Sequence, residues 1–167
     1  MSTPTDQAPK RSSMDRVRHA ASELGLEIEI VKMEQSTRTA QEAADACGCV
    51  VAQIVKSLVF ENATDQSMVL ILVSGKNNAD LEYFSATYQL NLIRCDTRKV
   101  RNITGFAIGG VAPIGHLNPI RTFMDESLLD YGVVWAAAGR PDSVFSVDPK
   151  ALAKATDAEI TSVSKPR

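Results

Sequence analysis

Lys56 is the residue whose type and setting point most directly to chemistry. It lies in a β-branched, apolar run, residues 50–60, that reads as a strand. Two-residue periodicity places it on the same strand face as Ile54, Leu58 and Phe60. An ammonium on an apolar face is costly unless it meets an anion or reaches a cavity. The plain alternative is a lysine whose stem snorkels to solvent from an edge strand. The second feature is residues 104–116, which hold four glycines and Pro113. Gly109 and Gly110 permit positive φ and close approach of a ligand to the main chain. Exposed N–H groups in such a loop bind a carbonyl oxygen or a phosphate, although a tight turn alone explains the glycines equally well. Gly110 and Gly115 have the spacing of a phosphate-binding loop, but His116 and Leu117 stand where Lys and Ser/Thr are required.

Other chemistries lack their residues. The histidines, His19 and His116, form no H-x-x-x-H pair, and Cys47, Cys49 and Cys95 contain no C-x-x-C. Neither a zinc site nor any other metal or cofactor is expected. No G-x-S-x-G supplies a nucleophile elbow. Three cysteines with a C-x-C pair do not make a secreted disulfide framework, so reduced thiols and a cytoplasmic location are expected. Cys47 fits the small face of a helix better than a nucleophile.

The elements that must position these residues follow from periodicity. Residues 12–24 read as a helix stopped at Gly25, and 27–33 as a strand. Thr39 and Glu42 form a capping box that opens a short helix through Cys47. Residues 68–73 are apolar throughout, as in a strand covered on both faces. Ser74, Gly75, Asn77, Asn78 and Asp80 follow that strand end, where binding loops often lie; Asn78 or Asp80 serves equally as a helix cap. A helix is expected over 79–88 and a shorter one over 96–103. Strands are expected near 106–108, 120–124, 133–138 and 144–147. Asp125 reads as a cap ahead of Leu128, and Asp148 with Pro149 opens a last helix. Strands crowded into 106–147 with few helices between them predict a mixed, curved α/β sheet of the α+β type.

The 167 residues fit one domain over 12–167, preceded by a polar tail, residues 1–11, expected to be disordered. That tail lacks the apolar core of a signal peptide, and no window is long enough to span a membrane. With 18 Lys+Arg against 20 Asp+Glu the formal charge is −2, which argues against a DNA-coating protein. The charge is uneven: residues 94–101, with Arg94, Arg98, Lys99, Arg101 and Asp96, carry net +3. This is a candidate phosphate contact, with a solvated helix face as the ordinary outcome.

Residues 53–60 around Lys56, the strand ending at Gly75, the Gly-x-x-x-Pro loop from Gly109 to Pro113, Met124-Asp125 and Ala138-Gly139 occur together and in order. In this the chain resembles the YbaK/prolyl-tRNA synthetase-associated editing-domain family over roughly residues 36–155. The resemblance implies a barrel-like mixed sheet with flanking helices. It also implies a free-standing trans-editing deacylase that hydrolyses the ester of a mischarged tRNA, with tRNA-Pro carrying Cys or Ala as the expected type. Lys56, Gly109 and Gly110 would then hold the reacting ester and the terminal adenosine. Val111, Ala112 and Pro113 would frame the aminoacyl group. Ser74 and Gly75 at the strand end, and His116 just after the loop, are further substrate-contact candidates, a solvated turn histidine being at least as good a reading of His116. The partner would be the acceptor end of the tRNA, with a synthetase as a further one. Some relatives place a histidine late in the domain, and residues 133–139 here have none. A non-catalytic ligand-binding module of the same fold and an unrelated small-molecule hydrolase are the rival expectations.

Overall fold

The computed structural model describes residues 12–34, 37 and 39–164; the expected tail, residues 1–11, lies outside them. The helices are α1 (Ser13–Glu23), α2 (Ala40–Cys47), α3 (Leu81–Tyr88), α4 (Thr97–Thr104) and α5 (Pro149–Thr156). The strands are β1 (Ile30–Lys32), β2 (Ile54–Asn62), β3 (Met68–Ser74), β4 (Leu92–Arg94), β5 (Arg121–Asp125), β6 (Val134–Ala137), β7 (Ser143–Val147) and β8 (Glu159–Thr161).

The caps explain where the helices start. Ser12 accepts from the Asp15 N–H at the head of α1. The Thr39–Glu42 capping box is complete, and Asp80, Asp96 and Asp148 cap α3, α4 and α5. Each satisfies main-chain donors that would otherwise be orphaned in the first turn.

All eight strands form one mixed sheet in the order β1-β7-β6-β2-β3-β5-β8, with β4 added to β2. The β2–β6, β3–β5 and β5–β8 pairs are parallel and the others antiparallel. Central strand β3 is buried on both faces, as its unbroken apolar run predicts. Leu70 and Leu72 face a core shared with Val17 of α1, Val100 of α4, Leu152 of α5 and Phe106. Val69, Ile71 and Val73 face Phe84 of α3 and Phe123. Each fully buried side chain of this size contributes about 1.5–3 kcal/mol, so the two cores fix β3 and with it the register of β2.

Three expectations need correction. Residues 51–53 form a 3-10 turn, and the strand begins only at Ile54. Residues 106–108 are not a strand. Thr104 Oγ1 accepts the Phe106 N–H at 3.0 Å, and the Arg16 guanidinium covers the Phe106 ring, also bonding the Gly105 carbonyl. Side chains occupy the main-chain groups that a strand would have used. β4 and β8, each three residues long, were not foreseen: a run that short has no alternation to read.

Candidate functional site

Strand β2 pairs along its whole length with β3, but on its other edge β6 meets only Ile54 and Val55, and β4 only Phe60 to Asn62. Residues 56–59 therefore have no strand neighbour on that edge. The Gly75 N–H bonds the Ile54 carbonyl and the Asn62 N–H bonds the Ser67 carbonyl. Even-numbered β2 residues thus direct their main-chain groups to β3. Alternation turns the N–H and C=O groups of Ser57 and Val59 toward the open edge.

A cavity of about 600 Å³ occupies this gap. Lys56, Ser57 and Val59 of β2 line it, opposite Gly109 and Val111 of the glycine loop. Trp135 and Ala137 of β6, Ala40 of α2 and Arg94 at the end of β4 complete the wall. Among the described residues, Lys56 and Arg94 are the charged groups of the lining, and no carboxylate is among them. The Ser57 hydroxyl is buried without a hydrogen-bond partner among the described residues, an arrangement that costs about 1–3 kcal/mol unless something later pairs with it.

The Lys56 ammonium donates to the Asn77 carbonyl at 2.5 Å. Burial pushes its pKa down, and the Asp125 carboxylate opposes that shift. Asp125 is 1% exposed. Its Oδ1 accepts from the Ser127 N–H at 2.9 Å, which is the expected cap. Its Oδ2 accepts from the Ser74 N–H at 3.0 Å and the Asn77 side-chain amide at 2.9 Å.

The glycine loop is stapled at both ends. Leu117 and Asn118 donate main-chain N–H groups to Thr104 and Ile103. Inside it the Gly110 N–H bonds the Ala107 carbonyl, and Gly109 sits at φ 93°. Gly110 does not line the cavity: it lies so close to the Arg140 main chain that a Cβ would meet it at 2.9 Å. Ala112 and Pro113 are buried beneath the loop. Ser74 and Gly75 also lie outside the lining. The Ser74 hydroxyl bonds the Ala52 carbonyl at 2.8 Å, and a Cβ on Gly75 would stand 2.3 Å from the Val51 carbonyl oxygen. These residues shape the site by holding its walls.

His116 is tied to the loop, its Nε2 donating to the Ala112 carbonyl at 2.7 Å. Burial pushes its pKa below the ordinary imidazole value, partly opposed by that bond. The native state therefore resists a proton that the unfolded chain accepts. Stability contributed by neutral His116 is present above the ordinary imidazole pKa and is lost as pH falls below it. Thermal unfolding of wild type from about pH 7 to about pH 5 is expected to show a falling midpoint, with a shallower fall in His116→Gln. Parallel slopes would refute this assignment.

Of the basic cluster, Arg94 reaches the cavity. Lys99 is committed to Glu61 at 3.0 Å, while Arg98 and Arg101 are exposed on α4. The cysteines are poor nucleophiles. Burial, then Cys49, pushes Cys47 up to about 11, and burial raises Cys49 and Cys95 as well. Among the described residues no group of three or more His, Cys, Asp or Glu could hold a metal ion, and no helix is long and apolar enough to cross a membrane.

Of the candidates read from the sequence, Lys56, Gly109, Val111 and Arg94 line this one cavity. Sequence reasoning missed Ser57 as a cavity residue and the link from Asp125 through Asn77 to Lys56. The turn signal at 74–78 marked the place, but the partner across it is 48 residues away for the Asn77 amide.

A mixed sheet carrying a half-buried lysine opposite a glycine loop defines the class. The chain belongs to the aminoacyl-tRNA editing domain family, whose pattern matches residues 34–155. It is 29% identical over 142 residues to the uncharacterised protein YwhH of Bacillus subtilis (strain 168), covering 85% of this chain and 90% of that one. It is similar to a crystal structure described as a candidate trans-editing enzyme for prolyl tRNA synthetase, with 42% identity, a TM-score of 0.87, and coverage of 95% of this chain and 100% of that one. A crystal structure of hypothetical protein APE2540 follows at 25% identity and TM-score 0.82, over 90% and 99% of the two chains.

Proposed function

We propose that the protein is an aminoacyl-tRNA deacylase that acts in trans on a mischarged tRNA. The observation that carries this reading is the shared cavity: Lys56 of β2 and Gly109 and Val111 of the glycine loop line one space of about 600 Å³. That volume is in the range of small-ligand sites. Water attacks the ester carbonyl, the bond to the terminal ribose oxygen breaks, and a free amino acid and a deacylated tRNA leave. The ester is already activated, so positioning and stabilisation of the developing oxyanion suffice.

The lining supports this division of labour. Lys56 gives the cavity a cation for the reacting ester and the terminal phosphate end, and Arg94 gives a second one for the phosphates of the acceptor strand. The N–H groups of Ser57 and Val59 on the open β2 edge are available to an oxyanion, and their carbonyls to an α-ammonium. Among the described residues no carboxylate lines the cavity, so a lysyl or arginyl side chain finds no counter-charge there, and the small apolar Val111 and Ala137 in the wall favour a small, uncharged amino acid. One methylene discriminates by only about 10–200-fold in a synthetase pocket, which is the gap a second, hydrolytic site fills. The likeness at 42% identity to a trans-editing candidate for prolyl tRNA synthetase favours tRNA-Pro as the carrier, with that synthetase as a working partner. Cysteinyl and alanyl esters are the first substrates to try.

The test is a panel of mischarged tRNAs presented to the purified protein. Release of a small amino acid from tRNA-Pro, with the cognate prolyl ester spared, is the expected result. Saturable binding of aminoacyl-adenosine analogues without turnover of any ester would overturn it in favour of a binding module. Hydrolysis of free amino-acid esters with no preference for charged tRNA would point to a small-molecule hydrolase.

A further inference from the structure

We propose that Asp125 is a positioning residue for this site: through the turn at residues 74–77 it fixes the Lys56 ammonium at the cavity. The proposal deepens the deacylase reading and rests on it. The geometry is a relay of two links. Asp125 Oδ2 holds the Asn77 side-chain amide at 2.9 Å, and the Asn77 main-chain carbonyl holds Lys56 Nζ at 2.5 Å. The Ser74 N–H, also on Oδ2, ties the start of the same turn, at the end of β3, to the end of β5.

A capping role alone does not account for this arrangement. The cap uses Oδ1 and the Ser127 N–H. Oδ2 is left to Ser74 and Asn77, which approach from β3 and its turn rather than from the 3-10 turn Glu126–Asp130 that Oδ1 caps. A buried carboxylate is expensive unless it is well hydrogen-bonded or paired. Asp125 has three such bonds but none from a cation, so its charge remains to act on the nearest ammonium. Lys56 is the group that feels it. Of the other charged side chains around the turn, Lys76, Glu82 on α3, and Glu126 and Asp130 after β5 are exposed to solvent, where their fields are screened; Asp80, half-buried, is committed to the Tyr83 N–H as the cap of α3.

The test follows acylation of Lys56 by an amine-reactive reagent across a pH series, read by peptide mass spectrometry, with exposed Lys76 as internal reference. Asp125→Asn removes the charge and leaves burial acting alone. Labelling of Lys56 relative to Lys76 at a fixed pH below its pKa is expected to rise about tenfold, equal to one pKa unit. Deacylation of the substrate found by the panel is expected to fall about 10–100-fold. Asn77→Ala keeps the carboxylate and two of its donors, so it serves if Asp125→Asn fails to fold. It is expected to move both readouts in the same direction by less. Unchanged Lys56 labelling in a folded variant overturns the proposal, as does unchanged deacylation beside altered labelling. The labelling arm needs no turnover, so it judges the Asp125–Lys56 link even if the wild type hydrolyses nothing; that outcome would instead remove the deacylase reading.

Discussion

Replacing Lys56 with methionine is expected to lower aminoacyl-ester hydrolysis by about 10²–10³-fold, the usual cost of losing one donor aimed at developing charge. Methionine keeps most of the stem and the apolar contacts of β2, so the loss reports on the ammonium. Burial already disfavours the charged form of Lys56, and removing it takes away a desolvated cation. Against that, Asp125 loses the cation it acts on, although its hydrogen bonds from Ser74, Asn77 and Ser127 remain. The two effects oppose each other, so the unfolding midpoint is expected to stay within a few degrees of wild type, as for changes of about 1 kcal/mol. Single-turnover deacylation beside thermal unfolding checks both halves. Wild-type rates in a folded Lys56→Met protein would remove Lys56 from the reaction and with it the reading of the cavity.

That prediction was open to the sequence because strand periodicity alone put an ammonium on an apolar face. The helix starts were legible for a similar reason: caps such as Thr39, Asp96 and Asp148 act within three residues, so the signal and its partner lie in one window. Two kinds of information were not local. One is the gap in the sheet. That β6 and β4 leave β2 uncovered at residues 56–59 depends on where two distant strands stop, and nothing near Ser57 announces it. The other is what the glycines are for. From the sequence, Gly75, Gly109 and Gly110 look alike, yet they meet different neighbours. Gly75 clears the Val51 carbonyl and Gly110 clears the Arg140 main chain, while Gly109 lines the cavity at positive φ.

These neighbours make Gly110→Ala a sharper test of the loop than any change inside the cavity. Gly110 has no positive φ to excuse it; its constraint is purely one of space. A Cβ would lie 2.9–3.0 Å from the N, Cα and C atoms of Arg140. Main-chain atoms cannot rotate away as a side-chain tip can, so the loop and the Arg140 turn must separate. Overpacking of this kind costs about 1–3 kcal/mol. The displaced segment carries Gly109 and Val111, which face Lys56 across the cavity. A shift of about 1 Å there is expected to cost about 10²-fold in rate, more than the stability loss alone would explain. Gly132→Ala is the matched control, since nothing lies within 4 Å of its Cβ and its φ is not positive; it is expected to leave rate and midpoint unchanged. Deacylation rates and thermal unfolding of the three proteins separate the cases. If Gly110→Ala loses stability but keeps its rate at a temperature where it is folded, the loop does not set the geometry of the reaction. The oxyanion then has only the open edge of β2 to rest on, at Ser57 and Val59.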